Sequence, residues 1–228
     1  MAINFVEQID DAVRIQHVLV SVSDKAGLEA FIPGLLQVNP RLTFYSTGGT
    51  FQALQKILGE SLVKKHLMQV SAYTGQPEMQ GGLVKTLDFK IYLGLLSETY
   101  NPAHAADLQR VKGVAIDMVV VNLYPFARTI AQSGVTPEQA RANIDIGGPC
   151  MVRAAAKNFL RVASVTNPVD YPAIVAELKQ AGGKLALKTR FDLARKAFAH
   201  TAAYDTAIAG YLTKCPFDTV QKTYRIMN

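Results

Sequence analysis

Several clusters in this 228-residue chain combine glycine with hydroxyl, carboxylate or ammonium groups, the residue types that hold anions and move protons. The sharpest is Ser46-Thr47-Gly48-Gly49-Thr50, set between the apolar run Leu42–Ser46 and the helix-like Phe51–Leu58. Two glycines let backbone amides approach a ligand closely, and the hydroxyls can join the free N–H groups at a helix start to cradle a phosphate. The cluster lacks the Gly-Lys-Ser/Thr ending of an ATP-binding P-loop and the full dinucleotide fingerprint, and a plain turn is the competing explanation. Ser21–Lys25 follows an earlier apolar run, where Ser23 can cap the next helix and Lys25 can bring positive charge to the same mouth.

Two further clusters carry the groups that acid–base chemistry needs. Gly81–Thr86 places Lys85 and Thr86 directly after a bend. Asn143–Pro149 leads into a short helical stretch bearing Arg153 and Lys157. There Asp145 can orient a donor or accept a proton, and Lys157 can stabilise developing negative charge. The alternative is an ordinary capped helix with a solvated lysine. His200 and Tyr204 lie four apart and either share a face toward a cleft or serve as satisfied structural side chains.

Composition narrows the classes. Apolar residues are 49% and charged residues 18%, which argues for a packed core and against disorder. Two cysteines cannot build a disulfide framework, and the four histidines show no metal-ligand spacing, so no metal site is expected from the residues. The net charge of +6 is spread along the chain, which suits an electropositive cleft for an anionic metabolite better than a nucleic-acid surface. No apolar run approaches the roughly 18 residues of a membrane span, and three acids precede the first basic residue, so a cytoplasmic protein is expected.

The elements that must position these clusters read as alternating strands and helices. His17–Ser23, Leu42–Ser46, Met118–Tyr124 and Val162–Thr166 are apolar and β-branched, as strands buried on both faces are. Ile91–Leu96 is a further strand candidate, and Val63–Val70 an uncertain one. Helices are expected over Lys25–Leu36 (with Pro33 a kink or stop), Phe51–Leu58, Pro137–Ala142 (capped by Thr136), Pro149–Asn158, Asp170–Gln180 and Arg190–Leu212. The order predicts one α/β domain over 1–228 with an open, mostly parallel sheet flanked by helices. Its ligand site then lies beyond the carboxyl ends of the strands, where the glycine clusters fall. Residues 213–228 give no clear signal and form an arm, a late strand or a subunit contact.

Taken in order, SVSDKAGL (Ser21–Leu28), STGGT (Ser46–Thr50), YTGQPEM (Tyr73–Met79), GGLVKTL (Gly81–Leu87), NLYPF (Asn122–Phe126), NIDIGGP (Asn143–Pro149), RAAAKN (Arg153–Asn158) and KAFAHTAAYD (Lys196–Asp205) resemble the IMP cyclohydrolase family over approximately 17–212. More fully, the chain resembles the amino-terminal cyclohydrolase domain of the bifunctional purine-biosynthesis enzyme. The resemblance implies a methylglyoxal-synthase-like fold, a homodimer, and conversion of a formylated aminoimidazole carboxamide ribonucleotide (FAICAR) to IMP and water without metal or cofactor. It leaves open a functional association with a separate AICAR formyltransferase. It assigns Ser23, Lys25, Ser46, Thr47, Gly48, Gly49 and Thr50 to the phosphate, and Lys85 and Thr86 to an active-site pair. Asn122, Tyr124, Asp145, Gly147 and Gly148 fall around the base and reacting groups, and Lys157 is the principal catalytic candidate. The resemblance gives the catalytic role to Lys157, Asp145, Lys85 and Tyr124. The usual family segment Gly-Arg-Val-Lys-Thr-Leu-His-Pro-Lys reads here Gly82-Leu83-Val84-Lys85-Thr86-Leu87-Asp88-Phe89-Lys90, and Tyr92 stands where histidine is usual. Those changes leave a nucleotide-binding or regulatory homologue, or an enzyme for another phosphorylated metabolite, as alternatives.

Overall fold

The computed structural model describes residues 5–77 and 85–227. Its strands are β1 (Ala12–Arg14), β2 (His17–Val22), β3 (Thr43–Ser46), β4 (Leu67–Gln69), β5 (Met118–Asn122), β6 (Ala163–Val165) and β7 (Lys184–Ala186). Five of them form one parallel sheet in the order β4-β3-β2-β5-β6, with Val18 opposite Phe44 on one side and Val20 opposite Val120 on the other. β1 and β7 make a separate antiparallel pair. The helices are α1 (Leu28–Val38), α2 (Gly48–His66), α3 (Val70–Thr74), α4 (Phe89–Leu96), α5 (Pro102–Arg110), α6 (Phe126–Ile130), α7 (Pro137–Ala142), α8 (Gly147–Lys157), α9 (Tyr171–Gln180), α10 (Leu187–Lys214) and α11 (Phe217–Thr223). No described helix is long and apolar enough to cross a membrane.

Alternation along the strands divides the core in two. Val18, Val20, Met118 and Val120 face α1, α2 and α9, whereas Leu19, Val119 and Val121 face α4, α8 and α10. Both faces are therefore covered, which is why the strands read as unbroken apolar runs.

The structure corrects several expectations. Ile91–Leu96 is helix α4, not a strand. Asp88 caps it by accepting the Lys90 N–H at 2.7 Å, and the buried Ile91, Gly94 and Leu95 recur at helical spacing. A Cβ on Gly94 would lie 2.5 Å from the Val114 carbonyl, so glycine lets α4 sit tight on that backbone. Within Val63–Val70 only Leu67–Gln69 is strand; the preceding residues end α2, which is broken at Gly59 (φ 71°). Ser23 does not cap α1, which begins five residues later behind Gly27 (φ 77°) and continues through Pro33. Thr136 does cap α7, in a reciprocal pair with Gln139. The segment after 212 holds α11, tied to α7 by the Tyr224 hydroxyl donating to Glu138 at 2.5 Å.

Two buried arginines fasten the frame. Arg161 donates to the Gly94, Ser97 and Ile116 carbonyls and to Asp117, while Asn158 donates to Leu95 and Ser97, so the far end of α8 is latched to the far end of α4. Arg190, fully buried, donates to the carbonyls of Asp10, Asp11, Phe159, Leu160 and Leu185, joining the chain's beginning to its last third. A guanidinium suits this task because its five donors reach several carbonyls at once.

Candidate active site

β2 and β5 are neighbours whose chains leave in opposite directions, β2 toward β3 and β4, β5 toward β6. A crevice opens outside the carboxyl ends of strands at such a switch point. Here it is a cleft of about 390 Å³, walled by the loops after β2, β3 and β5, the 142–148 loop, and the stretch Lys85–Leu87.

One end is built for an anion. Thr47 is the extended cap of α2 and makes no side-chain capping bond, so the amides of the first turn face the cleft without a hydroxyl in their way. Gly48 adopts φ +54°, and a Cβ there would lie 3.3 Å from the Lys85 Nζ. The Lys25 ammonium folds over the same mouth, donating to the Ser23 carbonyl at 3.2 Å. Thus Ser23, Lys25, Thr47, Gly48, Gly49 and Lys85, assembled from three segments, line one wall. The remaining hydroxyls of the glycine cluster have another task. Ser46 is fully buried, donates to the Val20 carbonyl at 2.8 Å and does not line the cleft. Thr50 lines it, but its hydroxyl both accepts the Val22 N–H and donates to the Val22 carbonyl. Together they lock the turn onto β2. Asn122 shapes the neighbouring loop in the same way, its carboxamide bonding the Asp24 N–H and C=O at 2.8 Å each.

The other end holds Asp145 with Tyr124, Thr86, Gly147 and Gly148. Burial raises the Asp145 pKa above its ordinary value, although the Gly148 N–H, which donates to the carboxylate, and the nearby Tyr124 N–H pull the other way. Both glycines sit in close contact, Gly148 the more tightly. A Cβ on Gly147 would meet the Thr86 hydroxyl at 2.7 Å, and one on Gly148 the Asp145 carboxylate at 2.6 Å. The result is a second helix N-terminus, that of α8, opening into the same cleft as that of α2.

Lys157 is not brought to this site. It is exposed in the last turn of α8, ten residues beyond Gly147, about 15 Å along the axis at 1.5 Å per residue. Sequence reasoning did not single out the apolar wall of Leu87, Ile144, Ile146 and Met151. Ile144 and Ile146 alternate with Asp145, and Met151 sits one turn after Gly147, so helical and loop spacing carried the signal. Among the described residues no group of three or more His, Cys, Asp or Glu side chains converges to hold a metal.

The altered flank has local explanations. Asp88 is the buried cap of α4, and Phe89 is exposed. Lys90 donates to the Tyr73 carbonyl at 2.8 Å and lies over the Tyr73 ring. The Tyr92 hydroxyl is buried beside Cys150, and burial first, then that thiol, raises its pKa. Leu83 lies outside the described residues.

The fold and the cleft define a class, and the chain belongs to it: the family of MGS-like domains, matched over residues 27–150. Residues 155–227 match a second family, the AICARFT/IMPCHase bienzyme, and together the two matches make the chain an IMP-cyclohydrolase-like domain. It is 47% identical over 212 residues to the bifunctional purine biosynthesis protein PurH of Neisseria meningitidis, and 47% identical over 196 residues to PurH of Bacillus cereus. These stretches cover 93% and 86% of this chain but only 38% and 37% of the relatives. The crystal structure of ForH superposes with a TM-score of 0.70 at 30% identity, covering 86% of this chain and 97% of that one.

Proposed function

We propose that this chain closes the second ring of a purine nucleotide, converting FAICAR to IMP and water. The observation that carries the proposal is one cleft with an uncapped helix N-terminus and two lysines at one end, and a half-buried carboxylate of raised pKa at the other. The spacing suits a substrate that is a phosphate at one end and a reacting heterocycle at the other.

The chemistry follows from the groups present. The first-turn amides of α2, with Ser23, Thr47, Lys25 and Lys85, hold the ribonucleotide phosphate. Anchoring that end makes attack of the carboxamide nitrogen on the formyl carbon an oriented, unimolecular event. As the C–N bond forms, the Asp145 carboxylate takes the amide proton, a task its raised pKa favours. Negative charge growing on the former formyl oxygen is met by the α8 N-terminus at Gly147 with the Thr86 hydroxyl beside it, and Tyr124 borders the same space. Return of that proton to the oxygen gives a hydroxyl on the new ring carbon; a second proton, from the former formamide N–H, goes to this hydroxyl as the ring C=N bond forms, so that the C–O bond breaks and water departs. Lys85 thus serves the phosphate, and Lys157 has no step.

The proposal extends to a homodimer in the cytoplasm supplied with FAICAR by an AICAR formyltransferase, in keeping with the bifunctional relatives. Light scattering on the purified chain tests the dimer. The reaction itself is tested by following IMP formation from fresh FAICAR over the spontaneous background. Conversion that K85A weakens mainly through KM supports the proposal. A folded sample that binds IMP and converts nothing overturns it and leaves a binding or regulatory protein.

A further inference from the structure

The carboxylate that does the proton work stands on a loop without regular structure between α7 and α8, and something must hold it still. Its own bonds fix only one side: Oδ1 accepts the Gly148 N–H at 2.9 Å, within the same turn. The other side is held from far along the sequence. The Asp145 backbone N–H donates to the Tyr204 hydroxyl at 2.8 Å, and that hydroxyl donates in turn to the Asn143 carbonyl at 3.3 Å. One oxygen therefore satisfies two backbone groups of the loop, one on each side of Ile144.

Tyr204 is well suited to hold that position. It projects from the middle of α10, the 28-residue helix packed along α8 and β6, and is only 9% exposed. Its ring meets Phe126 edge-on at 6.2 Å, and Phe126 in turn is fixed against Tyr211, about two turns further along α10, at 6.0 Å. Phe126 closes the turn that carries Tyr124, its N–H donating to the Tyr124 carbonyl at 2.7 Å. The Tyr124 backbone N–H faces the Asp145 carboxylate and lowers its pKa. Tyr204 does not line the cleft itself. Burial raises its pKa, which keeps the hydroxyl protonated and able to donate.

We infer that Tyr204 is the positioning residue of Asp145: its hydroxyl, set by α10, fixes the loop that aims the carboxylate and braces the neighbouring Tyr124 turn against it. The inference rests on the ring-closure proposal for the use made of Asp145, but the geometry it asserts is independent of turnover. His200, one turn earlier, has no such role, for its Nε2 is buried and bonds to nothing among the described residues.

Tyr204→Phe keeps the ring and its packing and deletes only the oxygen. The expected result is a kcat about 10- to 100-fold lower, since a displacement on the order of 1 Å costs about that much. KM for FAICAR and the affinity for IMP stay within about threefold, because the phosphate end is untouched. Amide hydrogen exchange at Asp145 speeds at least about tenfold, as its N–H loses its acceptor. In a D145N background the same change costs less than about twofold further, the non-additivity of residues that act as a unit. An unchanged kcat with unchanged exchange overturns the inference, and so does an equal multiplicative loss with and without Asp145. If the unmutated chain turns nothing over, the ring-closure proposal falls on that result, and exchange at Asp145 in Y204F still decides the positioning.

Discussion

Gly148→Ala puts the arrangement of the proton-handling end to a severe test. An added Cβ would lie 2.6 Å from the Asp145 Oδ2, 3.0 Å from its Cγ and 2.7 Å from the Leu123 Cδ2. Ordinary carbon–oxygen and carbon–carbon contacts need roughly 0.5–1.4 Å more than this, since non-bonded atoms sit at about 3.5–4.0 Å. Leu123 is itself buried, so the carboxylate must give way. A shift of that size exceeds the roughly 0.5 Å tolerance of a catalytic constellation and predicts a loss of about 100-fold in kcat. Helix propensity works in the opposite direction, because Ala replaces Gly inside α8 and gains about 0.8–1 kcal/mol. Overpacking costs about 1–3 kcal/mol, so the net change is a destabilisation of about 0–2 kcal/mol and a Tm lower by about 0–8 °C for a chain of this size. Steady-state IMP formation, titration with IMP and a thermal melt measure all three quantities. The steric reasoning is refuted by a variant with kcat within twofold of the parent, above all if it also melts higher. Gly147→Ala is the internal control: its Cβ meets only the Thr86 hydroxyl, which can rotate away, and its loss is expected to be about tenfold or less.

Three other expectations concern the site and its frame. With Asp145 acting as the base, kcat/KM rises with pH through an apparent pKa above the usual value of about 4, and D145N abolishes that limb together with most of the rate. Burial makes the folded state hold this proton more tightly than the unfolded chain does, so wild-type stability falls as pH climbs from the unfolded to the folded pKa; D145N loses that dependence in a melt series. Asp88→Ala removes the cap of α4 and costs about 0.5–2 kcal/mol in denaturant unfolding, whereas D88N, which keeps an acceptor for the Lys90 N–H, costs less; equal losses would deny the capping role. K157A changes kcat/KM by less than about threefold if the site is the cleft of one chain, as surface substitutions away from a site do; a loss above 100-fold would require Lys157 to reach a cleft on a second copy.

Much of this was legible in the sequence because local rules and tertiary needs agreed. The strands announced themselves by runs such as Met118–Asn122, apolar because both faces are covered. The glycine clusters marked the places where helix N-termini approach the cleft. Ile91–Leu96 misled because a six-residue apolar run has no period of its own; its helical state depends on the Asp88 cap and on contact with the Val114 carbonyl, which only folding supplies. Lys157 misled differently. Its motif continues the helix that starts at the site, and adjacency in sequence conceals the length of that helix. Ser46 belongs to the right motif, but strand alternation turns its hydroxyl into the sheet, onto Val20. Tyr204 stands in a quoted motif without any local sign of its partner, 59 residues away.

The Arg190 staple has a consequence for how the chain comes into being. Its guanidinium gathers carbonyls from positions 10 and 11, from 159 and 160, and from 185, and β1 has its strand partner at 184–186. During synthesis the first of these segments leaves the ribosome some 180 residues before its partners exist. At roughly 5–20 residues per second that is a delay of about 10–35 s, in which β1 carries an unsatisfied edge. The parallel sheet can assemble meanwhile up to β6, so residues 10–14 are fastened only after it. A nascent chain stalled before residue 190 is then expected to be cut by protease ahead of residue 16 while its sheet resists, and one stalled well past 214 to be protected throughout.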